Sequence, residues 1–189
     1  MYSVEPNDDM RQAAEEILKD FQCFYSIKGT AEHTTLPAQS VDFITVAQAF
    51  HWFDGEGFKK ECKRIGKLDS KVILIGNSRV SSSNLIKENA QICKKYCPNF
   101  KGFSGGMENP DDHIKQFFDN QYEKIRFENN LKFDKIRFIE RNLSASYSLK
   151  ETDEGYKDYI FELERLFDKY ASDDSLIMEN DTVAYIGKV

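Results

Sequence analysis

The sequence predicts an α/β domain, three layers deep, around a mostly parallel sheet with antiparallel strands at its carboxyl end. Two short, nearly continuous apolar runs, 41–47 (VDFITVA) and 71–76 (KVILIG), are of the kind shown by parallel strands covered on both faces. A helical pattern from Asp54 to about Ile65 separates them, so strand and helix alternate as in a parallel sheet. Near the carboxyl end, two short β runs flank Asn180–Asp181, a hairpin signal.

The remaining elements follow in order. MYSVE is strand-like, and Asn7–Asp8–Asp9 supplies capping chemistry before Met10, Ala13, Ala14, Ile17 and Leu18 at helical spacing. CFYSIKG is a second β-rich run, closed by Gly29. Residues 84–97 read as helix, 98–110 as a turn-rich loop, 111–120 as helix and 124–133 as an alternating stretch. Asp134 is placed to cap the helix KIRFIERNL. In 152–171, Tyr156, Tyr159, Ile160, Leu163, Leu166 and Phe167 share one helical face.

Size and charge narrow the function classes. A chain of 189 residues supports one well-filled core, so 1–189 is expected to be a single domain with a helical lid over about 84–147. With 26 basic and 32 acidic residues, the net charge of −6 argues against phosphate-neutralising nucleic-acid binding and against a polybasic membrane surface. No apolar run approaches the ~20 residues of a membrane helix. MYSVEPNDDM lacks the basic and apolar regions of a secretion signal, so the expected location is the cytoplasm. Cysteines 23, 62, 93 and 97 are then reduced structural thiols. The i, i+4 spacing of Cys93 and Cys97 matches no common zinc signature, and no metal site is expected.

Three features carry chemistry. Glu5 stands just past the first strand, where doubly wound folds grip a ribose through a carboxylate that accepts from two vicinal hydroxyls. Glu32 follows the second strand and is placed to accept from an exocyclic amine. Taken singly, each also reads as a solvated acid at a strand end. The third is AQAFHWFD (47–54), which brings Gln48, Phe50, His51, the single Trp52 and Phe53 to the carboxyl edge of the 41–47 strand. Ligands of open α/β sheets bind at that edge. A histidine among aromatics is otherwise a packed core residue.

Together EPNDDMRQAAEE, GTAEHTTLPAQSVDFITVAQAFHWFD and KVILI resemble class I S-adenosylmethionine-dependent methyltransferases. They are most similar to the small-molecule type-11 branch that includes trans-aconitate methyltransferase-like proteins. The resemblance runs from Met1 to about Gly76 and resumes at LSASY (143–147) and the long helix and strand beyond. It implies a Rossmann-like methyltransferase fold with S-adenosylmethionine as cofactor and a small-molecule acceptor. It also implies Glu5 as the ribose acid and Met10 beside the adenine. Ala31 and Glu32 fall at the adenine edge, and Ala47 and Gln48 along the methionine side. Phe50, His51 and Trp52 would face acceptor and sulfonium, with His51 the base if the acceptor is a hydroxyl or an amine. Aromatic faces suit a sulfonium cation.

In that family a first strand and a glycine-rich loop should precede Glu5. Neither does here, and Gly105–Gly106 follows no strand. The expectation is an amino-terminally truncated domain that binds the cofactor weakly. Its unpaired strand edges would favour a homodimer, with strand exchange as one form. The alternative is a non-catalytic remnant acting as a dimerising or binding module. Residues 76–79 (Gly–Asn–Ser–Arg) provide no clamp for a flipped base, which together with the net charge of −6 argues against a nucleic-acid methyltransferase. The insert at about 98–147 has two open readings: a lid burying its own aromatic core, or an acceptor pocket. In the second, Arg137, Arg141 and Tyr147 clamp an acidic or amphiphilic molecule.

Overall fold

The computed structural model describes residues 1–103 and 110–189. The chain forms two compact units. One contains Met1–Gly76, Asp111–Ile125 and Ala184–Val189, the other Asn77–Pro110 and Arg126–Val183. Gly105–Gly106 lie outside the described residues.

In the first unit, β1 (Tyr2–Val4) runs parallel to β2 (Tyr25–Ile27), with Val4 opposite Ile27. Between them is α1 (Asp8–Ile17), which starts where the sequence predicts. The Asn7 side chain accepts the Met10 N–H at 2.9 Å, and Asp8 and Asp9 sit in the first turn, where the helix dipole favours negative charge. The strands β3 (Val41–Ala47) and β4 (Gly66–Arg79) are also parallel, joined by α2 (Gly55–Ile65) with Asp54 as its N-cap. Gly66 closes α2 because a Cβ there would fall 2.8 Å from the Cys62 carbonyl oxygen.

The run 41–47 is less covered than its composition predicts. Val46 is buried, whereas Asp42, Phe43, Thr45 and Ala47 are exposed, Phe43 by 64%. The reason is topological. β1 and β2 form a sheet of their own, and β3 is the end strand of a second sheet ordered β3-β4-β8-β5, which includes β5 (Tyr122–Glu128) and β8 (Asn180–Gly187). β3 therefore pairs with β4 along one side, and its other side is a strand edge.

The core of this unit is aromatic. Phe58 of α2 stacks on Phe117 of α4 (Pro110–Phe117), with centroids 5.3 Å apart and an interplanar angle of 12°. Phe118 and Tyr122 continue the cluster to Tyr185 of β8. Burial of several such rings, at about 25 cal/mol per Å² of apolar surface, is the main stabilisation available here.

The second unit packs α3 (Asn84–Tyr96), α5 (Lys135–Leu143) and α6 (Tyr156–Tyr170) around a core of its own. On the expected face of α6, Tyr159, Leu163, Leu166 and Phe167 are buried. Asp134 caps α5, accepting the Arg137 N–H at 2.8 Å.

The expected hairpin around Asn180–Asp181 is corrected by the structure. β7 (Leu176–Met178) pairs antiparallel with β6 (Leu131–Phe133), and β8 belongs to the other sheet. Only Glu179 separates β7 from β8, too little chain for a two-residue turn, and Asn180 and Asp181 are themselves in β8. No helix among the described residues is long and apolar enough to cross a membrane.

Candidate functional site

The carboxyl ends of β1 and β2 lie side by side because the strands are parallel and in register. The Glu5 N–H donates to the Ile27 carbonyl at 3.1 Å. Glu5 is half-buried, and its Oε1 accepts the Asn7 N–H at 2.8 Å, so the turn into α1 fixes the carboxylate. Met10, one turn into α1, is 63% exposed.

Beyond β2, residues 30–36 fold back on α2. The hub is Glu61, 5% exposed, which accepts from the Thr34 N–H at 2.8 Å, from Thr34 Oγ1 at 2.5 Å and from Arg64 through two bonds of 2.7 Å. Arg64, helped by Thr34, holds the Glu61 carboxyl down at about 2, against an ordinary 4.5. This anchor positions Ala31 and Glu32. The Glu32 Oε1 accepts the Asp54 N–H at 3.0 Å, tying the loop after β2 to the segment after β3. Glu5, Glu32 and the 47–54 segment thus belong to one connected set of strand ends and loops within the first unit.

After β3 the chain turns sharply. Gln48 has φ +58°, a left-handed conformation that costs a non-glycine residue roughly 1–2 kcal/mol, and its N–H donates to the Ile75 carbonyl at 2.9 Å. Such strain concentrates at binding sites. A single 3-10 turn, Phe50–Trp52, follows. Ala47 and Gln48 are exposed, as are His51 and Trp52. The His51 and Trp52 rings lie 4.7 Å apart, and Trp52 is 79% accessible. Phe50 behaves differently from these four neighbours. Its ring packs edge-on against Phe117 at 5.1 Å and joins the aromatic core.

The one G-x-G of the chain, Gly55–Glu56–Gly57, forms the first turn of α2. A Cβ on Gly57 would fall 2.7 Å from Asp54 Oδ2 and 3.0 Å from Glu32 Cγ, so this glycine serves the Glu32–Asp54 junction. The carboxylates at Glu5 and Glu32, with Met10 and Ala31, fit the hydroxyls, amine and apolar ring of a nucleoside in chemical type.

Arg137, Arg141 and Tyr147 belong to the second unit. Arg137 is exposed and reaches Asp134 at 3.7 Å. Arg141 lies over the Phe133 ring at 5.9 Å, and Tyr147 packs edge-on against Phe100 at 4.9 Å. Burial pushes the Tyr147 phenol up to about 12, the Cys93 thiol to about 11 and, in the first unit, the Cys62 thiol to about 12. These groups are protonated at neutral pH, which makes both cysteines poor nucleophiles and poor metal ligands.

Sequence reading missed Glu61 and Arg64. Their i, i+3 spacing on α2 is also that of any surface pair, and only the return of Thr34 to the helix reveals a buried hub.

This arrangement of parallel strands, helices and carboxyl-edge loops is a Rossmann-like α/β fold of the methyltransferase type. Residues 1–74 match the family model described as "Methyltransferase domain". An uncharacterized methyltransferase-like protein of Schizosaccharomyces pombe is 27% identical over 126 residues, which cover 65% of this chain and 48% of that protein. A second uncharacterized methyltransferase of the same yeast is 36% identical over 67 residues, 35% of this chain and 27% of that protein. The chain spans less than half the length of these relatives. Among solved structures, a type II methyltransferase candidate from Anaeromyxobacter dehalogenans superposes with a TM-score of 0.64 at 17% identity, covering 99% of this chain and 79% of that one. The YcgJ protein of a Bacillus species gives 0.54 at 17% identity, covering 100% and 82%. Residues 1–74 match a methyltransferase-domain model, and the chain resembles methyltransferases in sequence over part of its length and in fold.

Proposed function

We propose that the first unit carries the nucleoside-facing half of an S-adenosylmethionine site serving methyl transfer to a small-molecule acceptor in the cytoplasm. One observation carries the reading: the Glu32–Asp54 bond joins the loops after β2 and β3 beside the β1 end that holds Glu5. On this reading Glu5 accepts from the ribose hydroxyls and Glu32 from the adenine amine through the oxygen that Asp54 leaves free. Met10 and Ala31 border the ring, and Ala47 and Gln48 border the methionine side. S-adenosylmethionine, when bound, supplies a methyl group made electrophilic by its sulfonium. His51 and Trp52 face the acceptor. A hydroxyl acceptor would pass its proton to His51 as its oxygen takes the methyl and the sulfur keeps the bonding pair; a carboxylate acceptor has no proton to lose.

The strand edges of β1 and β3 support a second reading, a dimerising or binding module. Backbone donors for the methionine end are not among the residues assigned to this site. Missing charge-assisted hydrogen bonds, at about 1.5–3 kcal/mol each, weaken binding by orders of magnitude. A calorimetric titration of the 189-residue chain with S-adenosylhomocysteine, paired with sedimentation, separates the readings. Methyl transfer predicts weak, saturable binding that Glu5→Ala abolishes. A dimer with no binding at any accessible concentration favours the module and sinks the cofactor site.

A further inference from the structure

Arg79 is the last residue of β4, at the carboxyl end of a sheet strand. Its side chain is largely withdrawn from water, and its Nε is buried with no hydrogen-bond partner. The guanidinium lies over the Phe103 ring at 4.3 Å. Phe103 packs edge-on against Phe100 at 5.3 Å, and Phe100 against Tyr147 at 4.9 Å, so the cation stands against an aromatic wall. No carboxylate faces it among the described residues. The charged or titratable neighbours that act on it are Arg141, which repels it, and Tyr147 and Cys93, both neutral at physiological pH.

A guanidinium cannot shed its charge, so burying one without an anion is costly, and the ring face offsets only part of that cost. A fold that keeps such a cation, with a second arginine close by, is set up for an anion that arrives from outside. We propose that Arg79 is an anion-binding residue, with Arg141 as the second cation, for a small carboxylate on an apolar body. The planar guanidinium fork matches a carboxylate with two parallel hydrogen bonds, and the Phe100, Phe103 and Tyr147 rings suit an apolar body. A carboxylate carries a single delocalised charge and costs less to desolvate than a phosphate dianion. The site goes beyond the methyl-transfer reading, since it lies within the second unit and its test uses no cofactor.

The experiment titrates the 189-residue chain with benzoate, methyl benzoate and inorganic phosphate, following binding by calorimetry and by the shifts of the Arg79 and Phe103 amides. Benzoate should saturate, and methyl benzoate and phosphate should each bind at least tenfold more weakly. Arg79→Met should lower benzoate affinity at least tenfold, and Arg79→Lys, which keeps the charge but not the fork, severalfold. Arg165→Met, at an exposed arginine of the same unit, should change nothing. Because no acid among the described residues offsets the Arg79 charge, Arg79→Met should also melt at a higher temperature than the parent chain without ligand. Equal affinity of acid and ester, tighter binding of phosphate, unchanged affinity in both Arg79 variants, or a lower melting temperature in Arg79→Met would each overturn the assignment.

Discussion

Replacing Phe138 with alanine should cost about 3–5 kcal/mol in the urea unfolding free energy of the second unit. Phe138 is fully buried on α5, 6.0 Å centroid to centroid from Phe167 of α6. It belongs to a cluster that includes Leu85 and Ile86 of α3 and Leu176 and Met178 of β7. Alanine removes the ring from water-free surroundings and leaves a cavity that three helices and a strand cannot close. The neighbouring Asn89–Asn142 hydrogen bond, 3.0 Å and buried, holds α3 and α5 at fixed spacing and limits collapse into the void. A loss below about 1 kcal/mol would mean that the core around α5 is not packed as described.

Glu61→Gln should cost the first unit about 2–4 kcal/mol at neutral pH and should change the acid limb of its stability. The Glu61 carboxyl titrates at about 2 in the folded chain and near 4.5 otherwise. A depressed carboxyl contributes stability that is fully present above the unfolded value and disappears as the pH falls through the folded one. Every tenfold weakening of proton binding on folding is worth about 1.4 kcal/mol, so the contribution is on the order of 3 kcal/mol, lost between about pH 4.5 and 2. The difference between parent and Glu61→Gln should therefore shrink across that window in denaturation curves taken at a series of pH values. A difference independent of pH would place the stabilising role of Glu61 outside its charge. Because Glu61 anchors Thr34, the same substitution should loosen the loop that presents Ala31 and Glu32.

Local signals in the sequence were legible, and non-local ones were not. Asn7, Asp54 and Asp134 marked helix starts correctly because an N-cap acts on amides only two or three residues away. The apolar runs 41–47 and 71–76 gave a parallel pair, since only a crossover helix lies between them. The pairing of β6 with β7 could not be read, because its partners are far apart in the chain and Asn180–Asp181 offered a nearer, false turn. The exposure of β3 was hidden too. Composition reports what a strand can bury, whereas its neighbours in the sheet decide what it does bury. Within the candidate site, the positions of Glu5 and Glu32 just after strands were legible, and they follow β1 and β2. The packing of Phe50 into the aromatic core depended on Phe117, and the setting of Arg79 against Phe103 with no acid beside it among the described residues depended on distant parts of the chain; neither has a signature in spacing.

On the proposed reading, Glu5 and Glu32 form the nucleoside edge of a methyl-transfer site, and residues 47–52 its methionine and acceptor side. Amide shift mapping of the isotopically labelled chain during titration with S-adenosylhomocysteine tests it most directly. Binding at this edge predicts saturable shifts confined to Glu5–Met10, Ala31–Glu32 and 47–52, with an apparent dissociation constant weaker than ~1 μM, about −8 kcal/mol, and their loss in Glu5→Ala. Shifts that saturate elsewhere in the chain, or that persist unchanged in Glu5→Ala, would contradict it.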